Sequence, residues 1–166
     1  MSAHPRLPLT LLLSGLLGCS PQTARSHSNS DSAFAQVQHR GHIAMGVDQY
    51  TSIHHFVSTP DGGVVTLQRD TDDTAGIQQI RHHMAEIAAA FRRGEFAVPG
   101  FVHDRPVPGT AIMAARRDRI RYRTDSILRG GELRISSDDP AAVAAIHEFL
   151  AFQRQDHRTG DAAGPN

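Results

Sequence analysis

Residues 52–68 have the sequence SIHHFVSTPDGGVVTLQ, and this stretch decides the fold. Residues 52–58 have the aromatic and β-branched content of a strand, and residues 64–68 predict a second one. Between them, residues 60–63 (Pro-Asp-Gly-Gly) predict a hairpin turn, whose glycines we expect to adopt positive φ. The stretch therefore predicts a β-hairpin.

A helix is predicted to follow the hairpin over residues 74–93. Thr74 comes directly after an acidic stretch and is the expected cap, and Gly94 is expected to end the helix. Apolar residues recur at the spacing of one helix face, namely Ile77, Ile80, Met84, Ile87 and Phe91.

The second half of the chain repeats this order. Residues 119–124 (RIRYRT) alternate, with Ile120 and Tyr122 predicted to face inward, and Gly130-Gly131 predicts another turn. Residues 132–136 predict the returning strand. A helix follows to about residue 155, capped by Asp138 or Asp139, and its inward stripe comprises Val143, Ile146 and Leu150.

Two ββα units predict an α+β fold, with a four-stranded antiparallel sheet and both helices on one of its faces. The link over residues 95–115 contains three prolines and is predicted to be mostly loop.

The chain begins with the layout of a secretory signal peptide. A short basic start leads into residues 7–17, an apolar run with seven Leu, which is too short to form a permanent membrane span. Leu16-Leu17-Gly18-Cys19 resembles a bacterial lipobox, in which the Cys becomes the lipid-bearing first residue. An ordinary signal peptide, with Cys19 as an ordinary buried Cys, is the alternative.

These features predict four segments. Residues 1–18 would be a lipoprotein signal peptide, 19–41 a flexible tether rich in polar residues, 42–158 a single α+β domain, and 159–166 a disordered tail. The predicted location is the cell envelope, with the protein lipid-anchored to a membrane. In a Gram-negative cell, Ser20 after the Cys favours the periplasmic side of the outer membrane.

Composition removes several kinds of chemistry. The formal net charge is zero, which gives no overall field to attract nucleic acid, so no nucleic-acid partner is predicted. All 17 basic residues are Arg, which excludes a Lys Schiff base. Cys19 is the only Cys, so once lipidated it leaves no Cys nucleophile and no disulfide.

Eleven His are the unusual feature of the composition. Adjacent strand residues point to opposite faces, so only one of His54 and His55 can face the core, and the sequence leaves open which. His83 and His147 are placed on inward helix stripes, while His82 points outward. His27 and His157 are assigned to flexible ends. The predicted metal ligands are His54 or His55, His83, His103 and His147, with Met113 as an additional soft ligand.

Three functions are compatible with these residues. The leading hypothesis is a lipid-anchored envelope protein that binds a transition metal, Cu before Zn, because imidazole with thioether suits copper and imidazole with carboxylate suits zinc. The second is a metal-free interaction module that contacts an envelope protein through the helix-free sheet face or an arginine strip. This strip comprises Arg116, Arg117, Arg119, Arg121 and Arg123.

The third is a hydrolase or transferase, in which His103 with Asp104, or His83 with Glu86, forms an acid–base pair. No nucleophile elbow or phosphate-binding glycine loop supports it. The sequence therefore favours a binding protein over an enzyme.

Several short motifs carry a resemblance to a family of small secreted bacterial proteins. The motifs are Met45-Gly46-Val47-Asp48-Gln49, His54-His55-Phe56, Ile80-Arg81-His82-His83-Met84, Pro108-Gly109 with Met113, and Ala145-Ile146-His147-Glu148-Phe149-Leu150. The resemblance covers roughly residues 42–161 and implies that His83, His103 and His147 belong to the family pattern. Some members carry the name aspartate carbamoyltransferase. This chain lacks the Ser-Thr-Arg-Thr-Arg phosphate motif of that enzyme and is much shorter than its doubly wound catalytic chain, so the sequence does not support that activity.

Overall fold

A computed structural model describes residues 22–161, and side chains from residue 30 onward. The predicted signal peptide and Cys19 lie outside the described residues, as do residues 162–166 of the predicted tail. Nine main elements follow in order: α1 (Gln22–Met45), β1 (Ser52–Thr59), β2 (Gly62–Arg69), α2 (Thr74–Arg92), α3 (Ala97–His103), α4 (Thr110–Ala115), β3 (Ile120–Ile127), β4 (Gly130–Ser137) and α5 (Pro140–Asp156). Short 3-10 turns at Gln49–Thr51 and Arg117–Arg119 precede β1 and β3.

The predicted α+β fold is confirmed. The four strands form one antiparallel sheet in the order β1-β2-β4-β3, so the two hairpins pair through β2 and β4. Alternate residues of each strand face a single hydrophobic core, and helices α2 and α5 both contribute to that core. Each strand therefore has one buried and one more exposed set of side chains.

The sheet register repeats itself about its centre. Gly62 pairs with Ser136, and the corresponding residues Gly130 and Gln68 pair in the same way, which leaves Val65 opposite Leu133 in the middle. The helices follow the same relation, because α2 packs mainly on β3 and β4 whereas α5 packs mainly on β1 and β2. The two ββα units are thus related by a pseudo-two-fold axis, and each helix covers the hairpin of the other unit.

Helices α2 and α5 each begin at an aspartate cap. The side chain of Asp73 accepts from the N–H of Gly76 at 3.1 Å, and that of Asp139 accepts from the N–H of Ala141 at 3.0 Å. Asp139 thus settles the choice that the sequence left open. In the first unit the cap is Asp73 and Thr74 is the first helical residue, because a carboxylate at that position satisfies a free N–H of the first turn.

The glycine pairs have a role that differs from the prediction. The hairpin turns are made by Pro60-Asp61 and Leu128-Arg129, and the glycines already belong to the strands. Only Gly62 of the four has a positive φ (145°), whereas Arg129 takes the left-handed conformation in the second hairpin. Gly63 and Gly131 instead allow close helix approach, since a Cβ there would meet Leu150 and Met84 respectively.

Within the described residues, 22–41 differ most from the predicted flexible tether, because they belong to α1. Apolar or small residues recur along α1 at helical spacing, namely Phe34, Val37, Gly41 and Met45. Val37 is 5% exposed. Arg40 also donates from Nε to the carbonyl of Val102 at 2.8 Å. The segment is polar on average, so its composition did not indicate the apolar stripe by which α1 packs against α3 and α2.

Two further segments are more ordered than predicted. The proline-containing link holds the helices α3 and α4, and its Val102, Val107 and Met113 are buried. Beyond α5, the side chain of Asp161 accepts from the N–H of Phe56 at 2.8 Å, so the chain up to this residue is fixed against the edge strand β1. No helix within residues 22–161 is both long and apolar enough to cross a membrane.

Candidate functional site

A cavity of about 90 Å³ lies between β1, the later turns of α2 and α5, and the helices α1 and α3. It has room for several water molecules or a small bound species. Most of its lining is apolar, and no Asp or Glu within residues 22–161 lines it. The polar side chains on its wall are His54, His83, His103, Gln153 and His157.

The structure resolves the choice between His54 and His55. Phe56 is 4% exposed and Val57 is 42% exposed, so the even-numbered residues of β1 face the core. His54 therefore lines the cavity, and His55 lies on the opposite face of the sheet. There the Nδ1–H of His55 donates to Asp161 at 2.6 Å.

Three of the predicted ligands come together and three do not. His54, His83 and His103 line the cavity. His55 is across the sheet, and His147, although it leans toward the sheet, is held by a hydrogen bond from Nε2 to the carbonyl of Thr59 at 2.9 Å. Met113 is fully buried in the core but is not part of the cavity wall. Of the two alternatives on β1, the cavity is therefore lined by His54, and the predicted ligands His147 and Met113 lie away from it.

His157 is the cavity histidine that the sequence analysis assigned to the tail. It follows the last residue of α5, and its ring stacks on that of His54 with centroids 5.0 Å apart. Its Nδ1 is buried without a hydrogen-bond partner. The sequence did contain a signal for the inward placement of His157, namely the spacing of the inward stripe of α5. Leu150, Gln153 and His157 continue the spacing of Val143 and Ile146.

Burial keeps these imidazoles neutral. Loss of water, with the positive potential of His83 and His55, lowers the pKa of His54 to about 4. Burial, with His54 and His103 nearby, lowers the pKa of His157 well below its usual value. Burial also lowers the pKa of His83, against an opposing effect of Glu86. At neutral pH these three side chains carry free electron pairs, as metal ligands must.

His103 has a different environment. Its Nδ1–H donates to Asp156 at 2.5 Å, and its Nε2 lies 2.9 Å from the side-chain oxygen of Gln153. Arg105 in turn donates to the other carboxylate oxygen of Asp156. Both ring nitrogens of His103 are thus engaged, so this residue forms part of the wall but has no free nitrogen for a ligand.

The predicted acid–base pairs are absent from the described part of the chain. Asp104 is exposed beside Arg40, and the partner of His103 is Asp156. Glu86 contacts the outward-facing His82 at 3.2 Å rather than pairing with His83. The His-based enzyme hypothesis therefore loses both of its proposed pairs.

The internal repeat provides a comparison for the cavity histidines. By register, the position of His54 on β1 corresponds to that of Tyr122 on β3. Counted from the aspartate caps, His157 corresponds to Phe91, and His83 corresponds to Phe149. The Phe91 and Tyr122 rings pack 5.8 Å apart, as the related His157 and His54 rings do at 5.0 Å. The fold therefore accepts ordinary aromatic residues at all three positions.

Two thioethers complete the lining. Met45 at the end of α1 and Met84 on α2 both border the cavity and are buried. Among residues 22–161, no three His, Cys, Asp or Glu side chains are already grouped to hold a metal ion. The His54 and His157 rings are stacked rather than convergent, so metal binding would require them to turn into the cavity.

The arginine strip is largely neutralised by neighbouring carboxylates. Arg116 pairs with Asp139, Arg117 with Asp118, Arg119 with Asp138 and Arg123 with Asp125. Arg121 and Arg123 point from β3 to the outer, helix-free side of the sheet, as predicted.

Comparison with known proteins adds no assignment: no family model, curated protein or solved structure matches this chain. The function is therefore argued from the site itself.

Proposed function

We propose that this protein binds a transition-metal ion in the histidine-lined cavity and does so in the cell envelope. The observation that carries the proposal is the contrast between related positions of the repeat. His54, His83 and His157 correspond to Tyr122, Phe149 and Phe91, respectively. A buried imidazole nitrogen without a partner, such as Nδ1 of His157, costs free energy that an aromatic ring does not. A ligand bound by the imidazole nitrogen would offset this cost.

The unpartnered Nδ1 of His157 supports the same conclusion. Most buried polar atoms are hydrogen-bonded, and one that is not requires an explanation such as an unfilled ligand position. This atom belongs to a ring already in contact with His54. The ligand set that we propose is therefore His54, His83 and His157, in place of the six residues expected from sequence.

The experiment is metal analysis of the full chain, purified without a histidine tag, and then dialysed and titrated with Cu and Zn ions. We expect close to one tightly held ion per chain. The same measurement on His54→Tyr should show the ion lost, whereas His147→Ala and His82→Ala should retain it, because neither side chain lines the cavity. Full metal retention by His54→Tyr, or no metal on the unaltered chain, would overturn the proposal.

The proposed location rests on the lipobox of residues 16–19. Acylation of Cys19 would add membrane affinity of about 0.8 kcal/mol per buried methylene group. Cys19→Ser should move the protein from the membrane to the soluble fraction or stop its processing. Unchanged fractionation and processing would show that Cys19 is not the anchor.

The second candidate is the interaction module. Its supporting observation is the outer face of the sheet, where Ile53 and Val57 are exposed on β1 and Arg121 and Arg123 on β3. Exchange of both arginines for Glu should impair capture of an envelope protein without affecting folding. Unimpaired capture would count against this surface.

A further inference from the structure

The cavity contains a second kind of donor beside its imidazoles. Met45 is 8% exposed and Met84 is 5% exposed, and both line the cavity with His54, His83 and His157. They come from α1 and α2, so they approach the cavity from different elements. Met113, the sulfur expected from sequence, lies elsewhere in the core.

The charge of the lining limits which ion the cavity can accept. No carboxylate lines it, the proposed ligands are uncharged, and most of the remaining surface is apolar. Transfer of an ion from water to such surroundings is costly, and in the Born description the cost rises with the square of the charge. The cost for a divalent ion is therefore about four times that for a monovalent one. Asp156, which contacts the wall residue His103, already pairs with Arg105.

The donor chemistry points in the same direction. Thioether sulfur and neutral imidazole nitrogen form a soft ligand set that suits Cu(I). Zinc sites commonly use thiolate or carboxylate, and these are absent from the lining.

We infer that the cavity selects monovalent copper, Cu(I), and that the thioethers of Met45 and Met84 act as ligands together with imidazoles from the set His54, His83 and His157, with no more than four ligands in all. This inference rests on the proposed metal-binding function and adds the valence of the ion and the sulfur ligands. It also gives α1 a role, because Met45 would bring a ligand from this helix to the cavity.

The test is titration of the full chain with Cu(I) under anaerobic reducing conditions, in competition with a chromogenic Cu(I) chelator. Ag(I), Zn(II) and Cu(II) are titrated separately. We expect the chain to hold Cu(I) and Ag(I) and to release Zn(II) and Cu(II) on dialysis. The double variant Met45→Leu with Met84→Leu should bind Cu(I) at least about tenfold more weakly, because Leu keeps the volume but lacks the sulfur.

Met113→Leu is the matched control, since it removes a buried sulfur outside the cavity and should leave Cu(I) affinity unchanged. X-ray absorption at the copper edge should show a Cu–S contribution that the double variant loses. Copper bound without sulfur, or Zn(II) held as tightly as Cu(I), would overturn this inference and leave the metal-binding function standing. No binding of any of these ions would overturn both.

Discussion

The two ββα units share a backbone plan but differ in how they fill it. At one group of related positions, Phe91 packs against Tyr122 and Phe149 in an aromatic cluster. At the other group, His157 lies against His54, and both rings border the cavity together with Phe91 and Phe149. The sheet register relates the two halves position by position, so the difference is one of side chains and not of fold.

This comparison separates residues needed for folding from residues kept for another purpose. The glycines that let the helices approach occur in both units, at Gly63 and Gly131. The cavity histidines come from both units, but each of His54, His83 and His157 has Tyr or Phe at its related position. What the units share therefore belongs to the fold, and what differs is where function is sought.

The largest effect is expected from breaking a shared feature. A Cβ at Gly63 would overlap Leu150 and lie 2.6 Å from the carbonyl of Val57, whereas at Gly131 the nearest atom is the flexible side chain of Met84 at 3.2 Å. Gly63→Ala should cost about 3 kcal/mol or prevent folding, and Gly131→Ala should cost about 1 kcal/mol or less. Chemical denaturation measures both. Equal losses of unfolding free energy would mean that the helix does not approach the sheet more closely at Gly63 than at Gly131.

The next largest effect is expected from giving related positions of the two units the same residues. The triple variant His54→Tyr, His83→Phe and His157→Phe gives each position the residue that its related position carries. We expect metal affinity to fall by more than about a hundredfold, close to 3 kcal/mol of binding free energy, with Tm unchanged or higher. Near-UV circular dichroism would check that the aromatic core is ordered. A folded variant that still binds metal would remove the functional meaning of the asymmetry.

The sequence was sufficient for the shared features and insufficient for the asymmetric one. Strand alternation and helix stripes placed both hairpins and both long helices, because those patterns repeat along the chain. The cavity depends on α1, whose large apolar residues are few, and on α3, which has only seven residues. The positions of both helices are set by packing with distant elements. His157 was missed because it is polar and was assigned to the tail, although it continues the spacing of the inward stripe of α5.

A smaller effect is expected from pH. The pKa of His54 is about 4 in the folded chain, and the usual value is 6.5. Between these values the unfolded chain binds a proton that the folded chain excludes, so the free energy of unfolding decreases as pH falls from 6.5 toward 4. The slope is about 1.4 kcal/mol per pH unit for each such histidine, and His157 and His83 act in the same direction.

Thermal unfolding of the metal-free chain between pH 7 and pH 4.5 measures this slope. Because Tyr at position 54 stays neutral throughout this range, His54→Tyr should flatten the curve, and the exposed His82→Ala should not. Parallel curves for His54→Tyr and the unaltered chain would show that His54 titrates alike in the folded and unfolded states.

The smallest effect concerns the segment that holds His157 in place. Burial would raise the pKa of Asp161, but hydrogen bonds from His55 and from the N–H of Phe56 outweigh it, so the net shift is downward. These bonds fix the chain just beyond His157 to β1. Asp161→Ala should therefore lower Tm by only a few degrees. Metal affinity should fall several-fold, because the His157 ring is then less well positioned over His54. Measurement of both quantities on the same protein separates positioning from stability, since a loss of Tm with full metal affinity would show that Asp161 supports the fold and not the site.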